Sequence, residues 1–114
     1  MLNDTQLQQF EEDGFIFVPD LFTAEEVDVL KDEIPEIFAQ QRPEVVREKS
    51  GGAVRTAFAT HTYNDVFRRF VSHPRILEPA QQILEGDVYI HQFKLNGKAA
   101  FDGEVWQWHQ DYGV

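Results

Sequence analysis

Near its C-terminal end the chain reads WQWHQDYGV, which places His109 and Asp111 two positions apart. An imidazole and a carboxylate at that spacing share one face of a strand, because successive strand side chains alternate sides. With Glu104 to Asp111 read as a strand, Gln107, His109 and Asp111 lie together, and Trp106, Trp108 and Gln110 face the other way. Such a pair supplies two legs of the 2-His-1-carboxylate arrangement that holds non-haem Fe(II). Two polar residues also meet at this spacing by chance in many proteins, so ordinary strand polarity stands beside the metal reading. A third ligand is needed, and the other imidazoles are His61, His73 and His91. His61 sits in a polar turn, and His73 precedes Pro74 as a helix cap or surface group. His91 shares a strand face with Tyr89, Phe93 and Leu95, where a packing role is expected. None of the three completes the site.

The elements that must position this pair follow from local signals. Asn3, Asp4 or Thr5 can cap a short helix through Leu7 and Phe10 that ends at Gly14. Phe15 to Val18 is a β-prone run stopped by Pro19. Thr23 with Glu26 forms a capping box, and Val27, Leu30, Ile34 and Phe38 recur on one face of a helix from about Ala24 to Gln40. Residues 41–53 read as a loop and Val54 to Thr60 as a strand. Asn64 caps a brief helix carrying Val66, Phe67 and Phe70. Pro74 opens another helix, which buries Ile76, Leu77, Ala80, Ile83 and Leu84. Val88 to Asn96 and Glu104 to Asp111 are strand candidates. Helices dominate through residue 85, and two or three strands cannot close a barrel.

At 114 residues the chain has room for one hydrophobic core. Twenty acidic and ten basic residues leave a formal charge of −10, which repels nucleic-acid backbone and anionic lipid. No cysteine is present, so disulfides and thiolate ligands are excluded. No apolar run reaches membrane-spanning length. The acidic, polar N-terminus has no signal-peptide pattern, and a cytoplasmic location is the expectation.

The segments DGFIFVPDLFTAEEVDVLKDEI, AVRTAF, HPRILEPAQQILEGDVYIHQFKLN and WQWHQDYG together carry a resemblance. The chain resembles the N-terminal portion of the phytanoyl-CoA dioxygenase superfamily of Fe(II)- and 2-oxoglutarate-dependent oxygenases, most nearly its ectoine hydroxylase branch. The resemblance implies an α+β fold, the N-terminal helical and first-strand portion of a double-stranded β-helix of jelly-roll or cupin-like type with its sheet incomplete. Residues 1–114 would then be a single partial domain. His109 and Asp111 match the first two iron ligands of the family. Gln92 and Asn96 match positions that approach 2-oxoglutarate, with cross-strand amide pairing as their alternative role. On the expected strand Gln92, Lys94 and Asn96 share a face, and Lys94 either meets the anionic co-substrate or faces solvent. Trp108 would pack behind the metal. Arg55, Phe101 and Tyr112 are candidates for the substrate side.

The family's distal histidine and the basic residue that clamps 2-oxoglutarate are expected beyond residue 114, so the isolated chain is expected to be inactive. Phe93 stands where the branch has a small residue, which opens the substrate to ectoine, an amino acid or another small polar metabolite. The expected partners are that substrate and O₂, with neither nucleic acid nor membrane. A non-catalytic acidic interaction or scaffold domain is the rival reading. A homodimer completing the site in trans is a third.

Overall fold

In a computed structural model, residues 1–100, 103 and 105–111 are described. Helix α1 (Asp4–Asp13) begins at the Asn3 cap, whose side chain accepts from the Gln6 N–H while Gln6 reciprocates. It ends at Gly14, which takes φ 78°, a left-handed conformation that costs glycine little. Helix α2 (Ala24–Ala39) starts from the Thr23–Glu26 capping box. Its C-terminal carbonyls receive a cation from another element, because Arg47 Nη2 donates to Phe38 O at 2.9 Å. Helix α3 (Asp65–Val71) is capped by Asn64, and α4 (Pro74–Leu84) by His73, whose Nδ1 accepts from the Arg75 N–H at 3.1 Å. Each of these starts lies where the local sequence signals put it.

Among the described residues three antiparallel strands, β1 (Val45–Arg47), β2 (Val54–Phe58) and β3 (Lys94–Asn96), form one sheet with β2 in the centre. Ile37 of α2 and Phe67 of α3 pack with Val45, Val54 and Ala57, and Leu30, Ile34, Phe38, Phe93 and Leu95 surround them. Ile37 is fully buried and sits at the centre of the α2 apolar face, whereas Val27 is exposed. Leu30, Ile34 and Phe38 thus pack as expected, with Ile37 added to the face and Val27 left out of it.

The strands depart further from expectation. Phe15 to Val18 forms no strand and pairs with nothing among the described residues, and Phe15 and Phe17 stay exposed. A β-prone run needs a neighbouring edge, and none among the described residues reaches it. The segment read as a loop contains β1, which β2 captures through the pairs Val45↔Ala57 and Val46↔Thr56. Strand β2 stops at Phe58 because Ala59 turns to φ 54° and feeds a 3₁₀ turn over Thr60–Thr62. Val88 to Asn96 shortens to β3, and residues 105–111 carry no strand. Two of the three strands thus precede α3, correcting the picture of helices first and strands last. Helix α4 holds no fully buried residue, and Leu84 is exposed. Ile76, Leu77, Ala80 and Ile83 of its expected apolar face are half-buried, and polar ties add to them: Gln82 exchanges hydrogen bonds with the Leu2 backbone, and Arg75 reaches Leu21 O at 2.8 Å.

Pairing changes register between Val46 and Arg47, since Val46 faces Thr56 but Arg47 faces Val54. Arg55 is therefore the extra residue of a bulge, a feature that bends a strand and re-aims a side chain. On the other side of β2, Gly97 N–H donates to Arg55 O at 2.9 Å.

Candidate functional site

His109 and Asp111 lie side by side without a strand to hold them. His109 Nε2 stands 3.2 Å from Asp111 Oδ1, and His109 Nδ1 is 2.7 Å from Gln107 O. A carbonyl at Nδ1 favours the tautomer with its proton there, which leaves the Nε2 lone pair directed at a carboxylate. With a proton on Nε2 the two side chains form an ion pair, and in the neutral imidazole both atoms offer lone pairs to one cation. Two neighbouring ligands about 2.1 Å from one octahedral ion stand about 3 Å apart, so the donor set and its spacing fit a divalent metal. Both side chains are solvent-accessible, Asp111 almost completely.

Asp111 also lines a groove of about 530 Å³ with His91, Gln92, Phe93, Lys94 and Tyr89. One carboxylate ligand candidate, one amide and one ammonium thus border the same space. His91 is exposed there and does not pack as expected. Strand parity had turned it towards Tyr89 and Phe93, but β3 begins only at Lys94, so parity does not apply at position 91. Lys94 and Asn96 do share the exposed side of β3, with Leu95 turned inward. Gln92 lies before the strand. Asn96 Oδ1 accepts from Thr56 Oγ1 at 3.1 Å across the β2–β3 pair, which leaves its amide N–H₂ for a further partner.

The other candidates are placed as follows. Arg55 Nη1 is 3.6 Å from Glu48 Oε2, and its guanidinium lies 4.7 Å from the Trp106 ring centroid. Trp108 is fully exposed and does not pack behind the metal ligands; Trp106 is the partly buried indole. Phe101 and Tyr112 lie outside the described residues. His73 is the α4 cap, and His61 meets Phe93 edge-on at 5.6 Å. Among the described residues no cluster of three or more histidine, aspartate or glutamate side chains could enclose a metal. Glu48, buried beside Arg55, escaped the sequence reading because a glutamate at a strand end normally faces solvent.

Comparison with known proteins finds relatives across nearly the whole chain. The family model for phytanoyl-CoA dioxygenase (PhyH) matches residues 10–114. An ectoine dioxygenase of Halomonas elongata is 36% identical over 115 residues, covering 97% of this chain and 35% of that protein. An L-proline trans-4-hydroxylase of Streptomyces griseoviridis is 38% identical over 104 residues, covering 91% and 39% respectively. The crystal structure of EctD from S. alaskensis with 2-oxoglutarate and 5-hydroxyectoine superposes with a TM-score of 0.89 at 30% identity. That match covers 97% of this chain and 41% of the other, and the structure of the same protein with bound Fe agrees equally well. The chain therefore spans well under half the length of these relatives.

Proposed function

The chain belongs to the phytanoyl-CoA dioxygenase family, and on that premise we propose that it contributes the first two metal ligands of a non-haem Fe(II)- and 2-oxoglutarate-dependent hydroxylase. The proposed substrate is a small polar metabolite, ectoine-like or an amino acid, the chemistry named for the two relatives. The observation that carries this reading is the 3.2 Å approach of His109 Nε2 to Asp111 Oδ1, with Nδ1 held by a carbonyl.

His109 and Asp111 bind the ion, and the aspartate offsets part of its charge. Gln92 and Asn96 present amide N–H groups to the anionic co-substrate and orient it. Lys94, on the same exposed side of β3 as Asn96, adds a positive charge at the groove. Phe101 and Tyr112 are assigned to the substrate side. When bound, Fe(II) and 2-oxoglutarate supply the oxidising power for hydroxylating an unactivated C–H bond, and the protein supplies geometry and charge. No helix among the described residues is long and apolar enough to cross a membrane. The reading places the protein in the cytoplasm with no nucleic-acid partner, in keeping with its net charge of −10.

The test is succinate release from 2-oxoglutarate by the full-length protein, with ectoine and L-proline as trial substrates. His109→Ala and Asp111→Ala are each expected to lower turnover and Fe(II) affinity by at least about 100-fold, since even residues behind metal ligands cost 10- to 100-fold. Unchanged Fe(II) affinity in both variants refutes the assignment. The 114-residue chain alone is expected to show no turnover.

A non-catalytic acidic scaffold is the second reading, favoured by the lack of a third ligand among the described residues. Full-length protein that binds no Fe(II) selects it. A site shared between two copies predicts tight, stoichiometric iron in a dimer of the 114-residue chain, which mass determination with iron titration decides.

A further inference from the structure

The β1–β2 hairpin brings a carboxylate, a guanidinium and an indole together outside the proposed metal and co-substrate contacts. Glu48 directly follows β1 and its side chain is 1% exposed. Neither of its carboxylate oxygens accepts a hydrogen bond among the described residues. A buried carboxylate is costly unless a cation offsets it, and Arg55 Nη1 lies 3.6 Å away. The bulge that makes Arg55 the extra residue of β2 is what frees its side chain from the alternation of its neighbours.

Beyond Glu48, the same guanidinium lies over Trp106 at 4.7 Å, a cation–π contact. The Trp106 indole N–H is buried and has no acceptor among the described residues, whereas Trp108, two positions on, is fully exposed. Among the described residues no backbone hydrogen bond ties 105–111 to another element. Trp106 is the partly buried side chain of the segment bearing His109 and Asp111, and its contact with Arg55 ties that segment to β2.

We propose that Glu48 and Arg55 are positioning residues for the metal ligands: Glu48 fixes Arg55, Arg55 clamps Trp106, and Trp106 sets where His109 and Asp111 stand. The ligand role of His109 and Asp111 rests on the proposed function, but the Glu48–Arg55–Trp106 link rests on geometry alone. A metal site demands this support, because ligands left loose by about 0.5 Å lose affinity. Arg55 thereby acts through Trp106 and not as a contact to the substrate.

Trp108→Phe leaves Trp106 as the single indole of the chain, which has two tryptophans. In that background, emission and acrylamide quenching of the 114-residue chain report Trp106 directly. Arg55→Met is expected to shift emission to the red and to raise the quencher-accessible population about two- to fivefold, the factor that a lost cation–π contact represents. Glu48→Gln is expected to move both readings the same way by less, and Arg55→Lys, which keeps charge without the planar stack, to fall between wild type and Arg55→Met. Far-UV circular dichroism checks that the fold persists; if Arg55→Met does not fold, Arg55→Lys and Glu48→Gln decide.

In the full-length protein, Fe(II) affinity is expected to fall in the same order. Unchanged quenching in Arg55→Lys and Glu48→Gln overturns the inference. So does an Arg55 variant that loses substrate affinity while Trp106 stays protected. If Arg55→Met exposes Trp106 but His109→Ala leaves Fe(II) affinity intact, the clamp stands and the ligand assignment falls.

Discussion

Glu26 serves two helices at once. Its carboxylate caps α2 by accepting the Thr23 N–H and also receives both terminal nitrogens of Arg75 from α4. The Arg75 hydrogen bonds, followed by that of Thr23, lower its pKa from 4.5 to about 2. A folded-state value below the unfolded one stabilises the native chain fully above pH 4.5, and that contribution disappears as pH falls towards 2. Glu26→Gln should therefore be less stable than wild type at neutral pH, with the two thermal midpoints converging between pH 4.5 and 2. A constant difference across that window contradicts the linkage. Ile37, fully buried between α2 and the sheet, makes the matching apolar case. Ile37→Ala should cost about 2–5 kcal/mol, measured by denaturant unfolding.

At the scale of elements, the joints are where one residue type alone will serve. A Cβ built on Gly97 would stand 2.6 Å from Val54 O and 3.2 Å from the Phe38 ring. The glycine lets the chain leaving β3 approach β2 and α2 closely. Gly97→Ala is expected to destabilise by about 1–3 kcal/mol through forced backbone movement, whereas an unchanged midpoint in urea removes the close-approach argument. Asn64 couples elements differently, capping α3 through the Phe67 N–H while its Nδ2 donates to Glu33 of α2 at 2.8 Å. Asn64→Ala should lose about 1–2 kcal/mol, and a urea midpoint within error of wild type would count against the double role. Caps of this kind were legible in the sequence because their chemistry spans only three residues. Strand β1 was not, since Val45–Arg47 is too short to signal itself and exists through β2.

Across the whole molecule, helices cover one side of a three-stranded sheet whose outer edges, on β1 and β3, have no partner among the described residues. Phe17, Tyr89 and Val105 are exposed apolar side chains. Unpaired edges and apolar patches favour association, so the 114-residue chain should self-associate with rising concentration. A single monomeric mass in light scattering at every concentration contradicts this. What the sequence determined by itself was local: helix starts and stops, the His109–Asp111 spacing and the motifs of the family. Only the tertiary structure decided that Trp106 and not Trp108 turns inward, that His91 opens onto the groove of Asp111, and that Glu48 is buried beside Arg55. The physical reason is range. A cap is satisfied by a neighbour three residues away, but the direction of a side chain depends on where pairing begins, ends or slips. That is set by strands up to forty residues distant, as in the pairing of Thr56 with Asn96.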